Sequence, residues 1–543
     1  MNKLKAKRAA GSEPLSGIVG GAFSLTLSTI ILKLLGLIYK IPLANILGDE
    51  GMGYFNSAYT VYSFFYLLCT AGVPKAIMIL ISESKAKGNK KDEYTIVKTA
   101  LNLFMMLGII VFILFVALAS PLSKMIGNSR SLATMLCIAP SIVFISIAGV
   151  VRGYLSANMK LLDIAVSQII EGVAKLVLGL LLAMYASSLN LAVSVISAIT
   201  ILGVTFGSFV GLIYLLVVSK IRKSKEITGQ SNEWKRISSN IFKISIPITL
   251  SAAVMSITNI LDLILIMRRL ESVGYTEVEA NSLYGNYTTL AVPMFNLAIA
   301  IITPISIAHL PVLAKAFAKR DTDSLALAKK SAFELTAFLT APIMMGLFVF
   351  SEEILSVLFV NSEVEIGATL LRMLCPSIFF CSYLIIVNTI LEAFGSPKAP
   401  IISMSIGGIA KILSSYILIS NSTVGISGAP LGTAISYAVA LIVSLVIYGR
   451  KYNENLPVLR YGLVMYVNAL ASVTVGRLVY NYISENLSNF VSLAIAISIC
   501  GVLYLILSLL SGFIFAGKYR KLANYTNLFK KNYRIRPNAV KKI

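Results

Sequence analysis

Leu15–Lys40, LSGIVGGAFSLTLSTIILKLLGLIYK, decides the fold class of this chain. A helix that crosses a bilayer needs about 20 mostly apolar residues, and this run has that length while carrying one lysine, Lys33, in its interior. On insertion scales a lysine near the centre of a span costs about 3 kcal/mol, against a gain of about 0.5 kcal/mol for each Leu, Ile or Phe, so the helix still inserts. The Lys33 ammonium is then expected to face a bundle interior or a watery cavity, or to snorkel to an interface. The basic residues before it, Lys3, Lys5, Lys7 and Arg8, resemble the start of a signal peptide, but the apolar run is too long for a signal core and has no convincing cleavage site. It is read as a retained first helix.

Working outward, the 543 residues are 57% hydrophobic and 13% charged, with a mean hydropathy of +0.84. Soluble domains carry about a quarter of their residues as charges. The expected class is all-α, a polytopic membrane protein with 14 transmembrane helices, arranged as two six-helix lobes plus two additional C-terminal helices. The spans are placed at 15–39, 54–81, 96–119, 131–153, 161–185, 191–218, 241–267, 284–313, 331–350, 369–391, 400–420, 428–448, 460–482 and 490–515. The domain reading is a tail 1–14, an N-lobe 15–218, a linker 219–240, a C-lobe 241–448, helices thirteen and fourteen in 449–516, and a basic tail 517–543. GVAKLVLGLLL, from Gly172 to Leu182, resembles GIAKILSSYIL, from Gly408 to Leu418, as expected of a parallel duplication or of two chance-similar leucine-rich helices.

The net charge of +23 raises the question of a nucleic-acid partner. Placement answers it: the basic residues concentrate in alternate loops, SESKAKGNKKDEY, SKIRKSKEITGQSNEWKRISSN, AKAFAKRDTDSLALAKK, YGRKYNENLPVLR and the C-terminal tail. This is the positive-inside pattern, with both termini cytoplasmic, and the charge serves orientation and attraction to anionic lipid. No nucleic-acid partner is expected, and the chain is read as a monomer in a bacterial plasma membrane.

Chemistry is narrowed by elimination. The sequence has no P-loop, zinc spacing or G-x-S-x-G elbow. No catalytic residue, metal or cofactor is therefore expected. His309 is the only histidine and is read as a packing residue. The five cysteines, Cys69, Cys137, Cys375, Cys381 and Cys500, lie in apolar runs and are read as unpaired. What remains is the set of ionisable groups within spans. Glu171 and Lys175 are spaced i,i+4 and can pair on one helix face, and Arg152 is read as interfacial. Lys33, Lys40, Lys75, Arg268 and Arg269 are the cations expected to bind substrate, because cations gathered in a low-dielectric cavity attract anions and the arginine fork suits phosphate oxygens. Arg268 and Arg269 could instead end the seventh helix. Asp262, with Asn259 one turn before it, is read as a ligand for a monovalent cation, as a counter-charge for Arg268 or Arg269, or as half of a structural ion pair. Driving energy is expected from a sodium or proton gradient or from the membrane potential.

Three stretches carry a resemblance: SLTLSTIILKLLGLIYKIPLANILGDEGMGYFNSAY, RGYLSANMKLLDIAVSQIIEGVAK and YGNYTTLAVPMFNLAIAIITPISIAHLPVLAKA. On these the chain resembles the multidrug/oligosaccharidyl-lipid/polysaccharide (MOP) flippase superfamily, in its branch of SpoVB-like and MurJ-like lipid-linked oligosaccharide flippases. The resemblance covers essentially the whole chain, and SQIIE, from Ser167 to Glu171, is its most specific part. It implies alternating-access export of an undecaprenyl-diphosphate-linked sugar, with lipid II first among candidates, and a first-helix cation at Lys33. Two family arginines are missing: Leu68, Cys69 and Thr70 stand before Ala71 where the second helix has one, and Tyr287 and Thr288 where the eighth has one. Lys75, Arg268 and Arg269 are the candidates to replace them. The rivals are a flippase for another polyprenyl-linked or sporulation-related precursor, a cation-coupled drug exporter and a membrane glycosyltransferase.

Overall fold

The structure, a computed structural model, describes residues 2–86, 90–219, 231–454, 456 and 462–511. Residues 220–230 of the linker 219–240 and all of the tail 517–543 lie outside the described residues, and of Lys33 only its place on a helix is described.

All regular structure among the described residues is helical. The first half of the chain forms α1 (Asn2–Thr70), α2 (Val73–Ala86), α3 (Lys90–Ile126), α4 (Leu132–Ile138), α5 (Ser141–Ala157), α6 (Leu161–Ser188) and α7 (Val193–Ser219). The second half forms α8 (Ser231–Ser272), α9 (Glu277–Asn286), α10 (Val292–Ala318), α11 (Thr322–Val349), α12 (Ser351–Leu358), α13 (Val364–Ala393), α14 (Lys398–Ile419) and α15 (Gly428–Tyr452). Two last helices, α16 (Leu463–Ile483) and α17 (Asn489–Leu510), follow. Among the described residues eleven helices are long and apolar enough to cross a membrane, or twelve when the bent pair α4–α5 counts as one span. The part of α1 before Gly48 and helix α8 carry the remaining two of the fourteen expected spans. The chain is a multi-pass membrane protein.

Local chemistry explains where helices break. Gly48 has φ 64°, a left-handed conformation that costs glycine nothing, and it turns the chain inside α1. The expected second span is interrupted at Ala71–Gly72, between α1 and α2, just before Pro74. The fourth span bends by 40° between Ile138 and Ser141, where Pro140 lacks an amide hydrogen and disfavours helix at the residue before it. A π-helical turn at Tyr287–Ala291 joins α9 to α10.

The loops alternate between two ends of the bundle. One end holds Lys85, hydrogen-bonded to Asn158 Oδ1 at 2.6 Å, and we call it the basic end. At the opposite end the two halves are sewn together by buried amides. Asn128 donates to Asn281 Oδ1 (2.7 Å) and Ser57 Oγ (3.1 Å), Asn281 donates to the Glu50 carbonyl (2.8 Å), and Asn286 donates to Asp49 Oδ2 (3.0 Å). Asn56 donates to the hydroxyls of Thr288 and Thr289 at 3.0 and 2.9 Å. With Asn128 and Asn281 fully buried, these polar groups need their partners, so this end is sealed by specific pairing rather than by apolar contact alone.

Candidate functional site

The positioning element is a stripe of glycines. Gly203, Gly207 and Gly211 recur every four residues on α7, so they share one face. A Cβ on Gly207 would lie 2.9 Å from the Glu171 carbonyl and 3.0 Å from the Lys175 amide, and one on Gly203 would lie 2.5 Å from Gly179 Cα. Small residues at this spacing let two membrane helices approach backbone to backbone. That approach gives one face of α6 to α7 and leaves Glu171 and Lys175 to point toward α1 and α5.

There they line a polar cleft of about 220 Å³ with Leu35, Gly36, Tyr39 and Tyr66 from α1, Arg152 from α5, and Gln168 and Gly172 from α6. Arg152 Nη2 donates to Glu171 Oε2 at 2.6 Å, and the two side chains are only 13% and 27% exposed. The expected Glu171–Lys175 pair is therefore replaced: the guanidinium fork of Arg152 reaches the carboxylate from a neighbouring helix. Arg152 itself lines the cleft. Lys175 Nζ lies 4.8 Å from the centre of the Tyr59 ring and 5.4 Å from that of Tyr39, within cation–π range. Among the described residues no carboxylate pairs with it. Tyr39, Phe55, Tyr59, Tyr62 and Tyr66 form a continuous aromatic series along α1, with successive ring centres 5.8 to 6.3 Å apart. Three donors in this group, Arg152 Nε and the hydroxyls of Tyr39 and Tyr62, are buried without a hydrogen-bond partner, and of these Arg152 and Tyr39 line the cleft.

Three of the expected substrate cations, Lys75, Arg268 and Arg269, do not line this cleft, and Lys40, beside the cleft residue Tyr39, turns to the seam. Lys40 donates to the Thr288 carbonyl at 3.1 Å, on the seam between the halves. Lys75 is exposed on the first turn of α2. Arg268 is exposed and caps the end of α3, donating to the carbonyls of Met125 (3.0 Å) and Lys124 and to Glu271 (2.9 Å). Arg269 stacks on Tyr416 with its guanidinium carbon 3.5 Å from the ring centre. The Lys33 side chain lies outside the described residues.

Asp262 does not serve Arg268 or Arg269. Its Oδ2 accepts from Lys411 Nζ on α14 at 2.8 Å, and the side chains are 15% and 17% exposed. The reason is axial distance: six or seven residues along a helix span about 9 to 10 Å, whereas α14 packs directly on α8. Asn259 is exposed. A lysine ammonium thus stands where a monovalent cation was expected. Sequence reasoning passed over Arg152, Glu171 and Lys175 because each has an ordinary local explanation. The signal that could have found them is the repeat itself, since G-V-A-K and G-I-A-K end on Lys175 and Lys411.

A second cavity, of about 360 Å³, is apolar and lies where α16 and α17 meet α10 and α11, with walls that include Leu297, Ile301, Pro342, Leu347, Val473 and Ile497. His309 is buried, with Nδ1 2.8 Å from the Ile305 carbonyl, as expected of a packing residue. All five cysteines are free.

Comparison with known proteins agrees with this architecture. Residues 18–317 match the family described as polysaccharide biosynthesis protein, and residues 286–417 match the MatE family. Stage V sporulation protein B of Bacillus subtilis (strain 168) is 22% identical over 507 residues, covering 92% of this chain and 97% of that protein. Lipid II flippase MurJ of the same organism is 21% identical over 531 residues, covering 92% and 96%. A solved structure of lipid II flippase MurJ in an inward closed conformation superposes with a TM-score of 0.70 at 18% identity, over 92% of this chain and 99% of that one, so what it shares with this protein is the fold. Since the first match spans more than half of the 543 residues, the chain belongs to the polysaccharide biosynthesis protein family.

Proposed function

We propose that this protein moves an undecaprenyl-diphosphate-linked glycan from the inner to the outer leaflet of a bacterial plasma membrane by alternating access, and that the glycan is lipid II, the peptidoglycan precursor. The observation that carries the reading is a polar cleft with two cations and one acid, Arg152, Lys175 and Glu171, inside the membrane bundle of a chain in this family. Charged groups at that depth are costly and point to a polar substrate or ion path. The apolar cavity beside α16 and α17 suits the polyprenyl tail. In this reading both termini are cytoplasmic, the basic end faces the cytoplasm and the protein acts as a monomer. It is a transporter and makes or breaks no covalent bond.

Membrane potential suffices as the driving force. One charge moved through 100 mV is worth about 2.3 kcal/mol, so exporting a diphosphate with about two negative charges from a negative interior gains about 4 to 5 kcal/mol. Lys411 already neutralises Asp262, which favours potential over a coupling cation at that carboxylate. A second reading, export of a polyprenyl-linked precursor used in sporulation, is favoured by the similarity to Stage V sporulation protein B over 92% of the chain. Depletion of the protein in cells, with labelling of lipid II in each leaflet, tests the first reading: inner-leaflet accumulation is expected, and an unchanged distribution would contradict it. Collapsing the potential at constant ion gradients should slow flipping in vesicles; an unchanged rate would remove potential as the driver.

A further inference from the structure

The two halves place a lysine at matching points of their repeat, Lys175 on α6 and Lys411 on α14, and treat it oppositely. Lys411 is cancelled by Asp262 at 2.8 Å. Lys175 meets ring faces instead of a carboxylate, and the cleft's one acid, Glu171, is held by Arg152. Among the described residues that line it, the first-half cleft therefore keeps one unit of positive charge, while the matching pair in the second half keeps none. Buried donors left without partners are uncommon and call for an explanation. Here there are two, Arg152 Nε and the Tyr39 hydroxyl, both on residues that line the cleft.

Resting on the flippase reading, we propose that this cleft seats the sugar-diphosphate junction of the transported lipid. Arg152 and Lys175 take the phosphate oxygens, the Tyr39 hydroxyl adds a neutral donor, and the Tyr66 face takes the first sugar ring. Glu171 acts as the resident counter-ion. It neutralises Arg152 while the site is empty, and an arriving diphosphate competes with it for the guanidinium.

A soluble nucleoside-diphosphate sugar carries the same chemistry, so the experiment has two ligand arms. Purified protein in nanodiscs is titrated with undecaprenyl diphosphate and, separately, with UDP-N-acetylglucosamine. In the lipid arm K175Q is expected to weaken binding at least tenfold and E171Q to tighten it severalfold, while the soluble sugar binds weakly to all variants. R152K, which keeps the charge but loses the fork, is expected to lie between wild type and K175Q, and it serves where R152Q does not fold. Equal lipid affinity in wild type, K175Q and E171Q would overturn the proposal, as would tighter binding of the soluble sugar than of the lipid. Flipping of a labelled lipid-linked glycan in vesicles separates the two levels. If wild type and K175Q flip at the same rate the cleft assignment fails alone, and if wild type neither binds nor flips the lipid the flippase reading itself fails.

Discussion

The ion pair between Lys411 and Asp262 can be tested by a double-mutant cycle. Its charged atoms are 2.8 Å apart on side chains 17% and 15% exposed. With an effective dielectric of about 20, unit charges at that distance attract by about 6 kcal/mol, before the cost of removing both from water is subtracted. Truncating one partner leaves the other as an unpaired charge in the bundle, which costs about 3 to 5 kcal/mol. K411M and D262L are each expected to destabilise the protein by that amount in denaturant titrations of detergent-solubilised material. The double variant K411M/D262L should cost much less than the sum, about 1 kcal/mol, because no bare charge is left behind. A double variant whose loss equals the sum of the two single losses would refute the pairing.

The remaining predictions follow from the same geometry. G207L drives a side chain into the backbone of α6 at Glu171 and Lys175, so it should cost about 1 to 3 kcal/mol or more by overpacking and lower the affinity of the adjoining cleft; an unchanged melting temperature would argue against the close approach. N128A strands the buried Asn281 carbonyl oxygen and Ser57 hydroxyl at about 1 to 3 kcal/mol, so in a cysteine-free background S57C should react faster with a membrane-impermeant thiol reagent when N128A is present. K329M removes a buried ammonium 2.7 Å from both carboxylate oxygens of Glu454, but the Glu454 side chain is half exposed and can be rehydrated. Its cost should therefore be about 1 kcal/mol, well below that of K411M, in the same denaturant titration.

The amino-acid sequence by itself determined the membrane class, the helical spans and the orientation signal, because hydropathy and loop charge are local properties that the bilayer reads directly. It was less informative about breaks. The polar stretch from Asn45 to Gly53 reads as a loop, yet the helix runs to Leu47, turns once at Gly48 and resumes, since Asn45 and Asp49 find partners across the bundle at Val360 and Asn286. The family resemblance was legible in the first, fifth and eighth spans, and the match to the polysaccharide biosynthesis protein family over residues 18–317 agrees with it. Only the tertiary structure decided which charges meet. An i,i+4 spacing allows Glu171 to pair with Lys175, but the packing of α5 against α6 gives it to Arg152, and the packing of α14 on α8 gives Asp262 to Lys411. Such choices depend on distances between helices hundreds of residues apart in the chain, and neither periodicity nor composition encodes a distance.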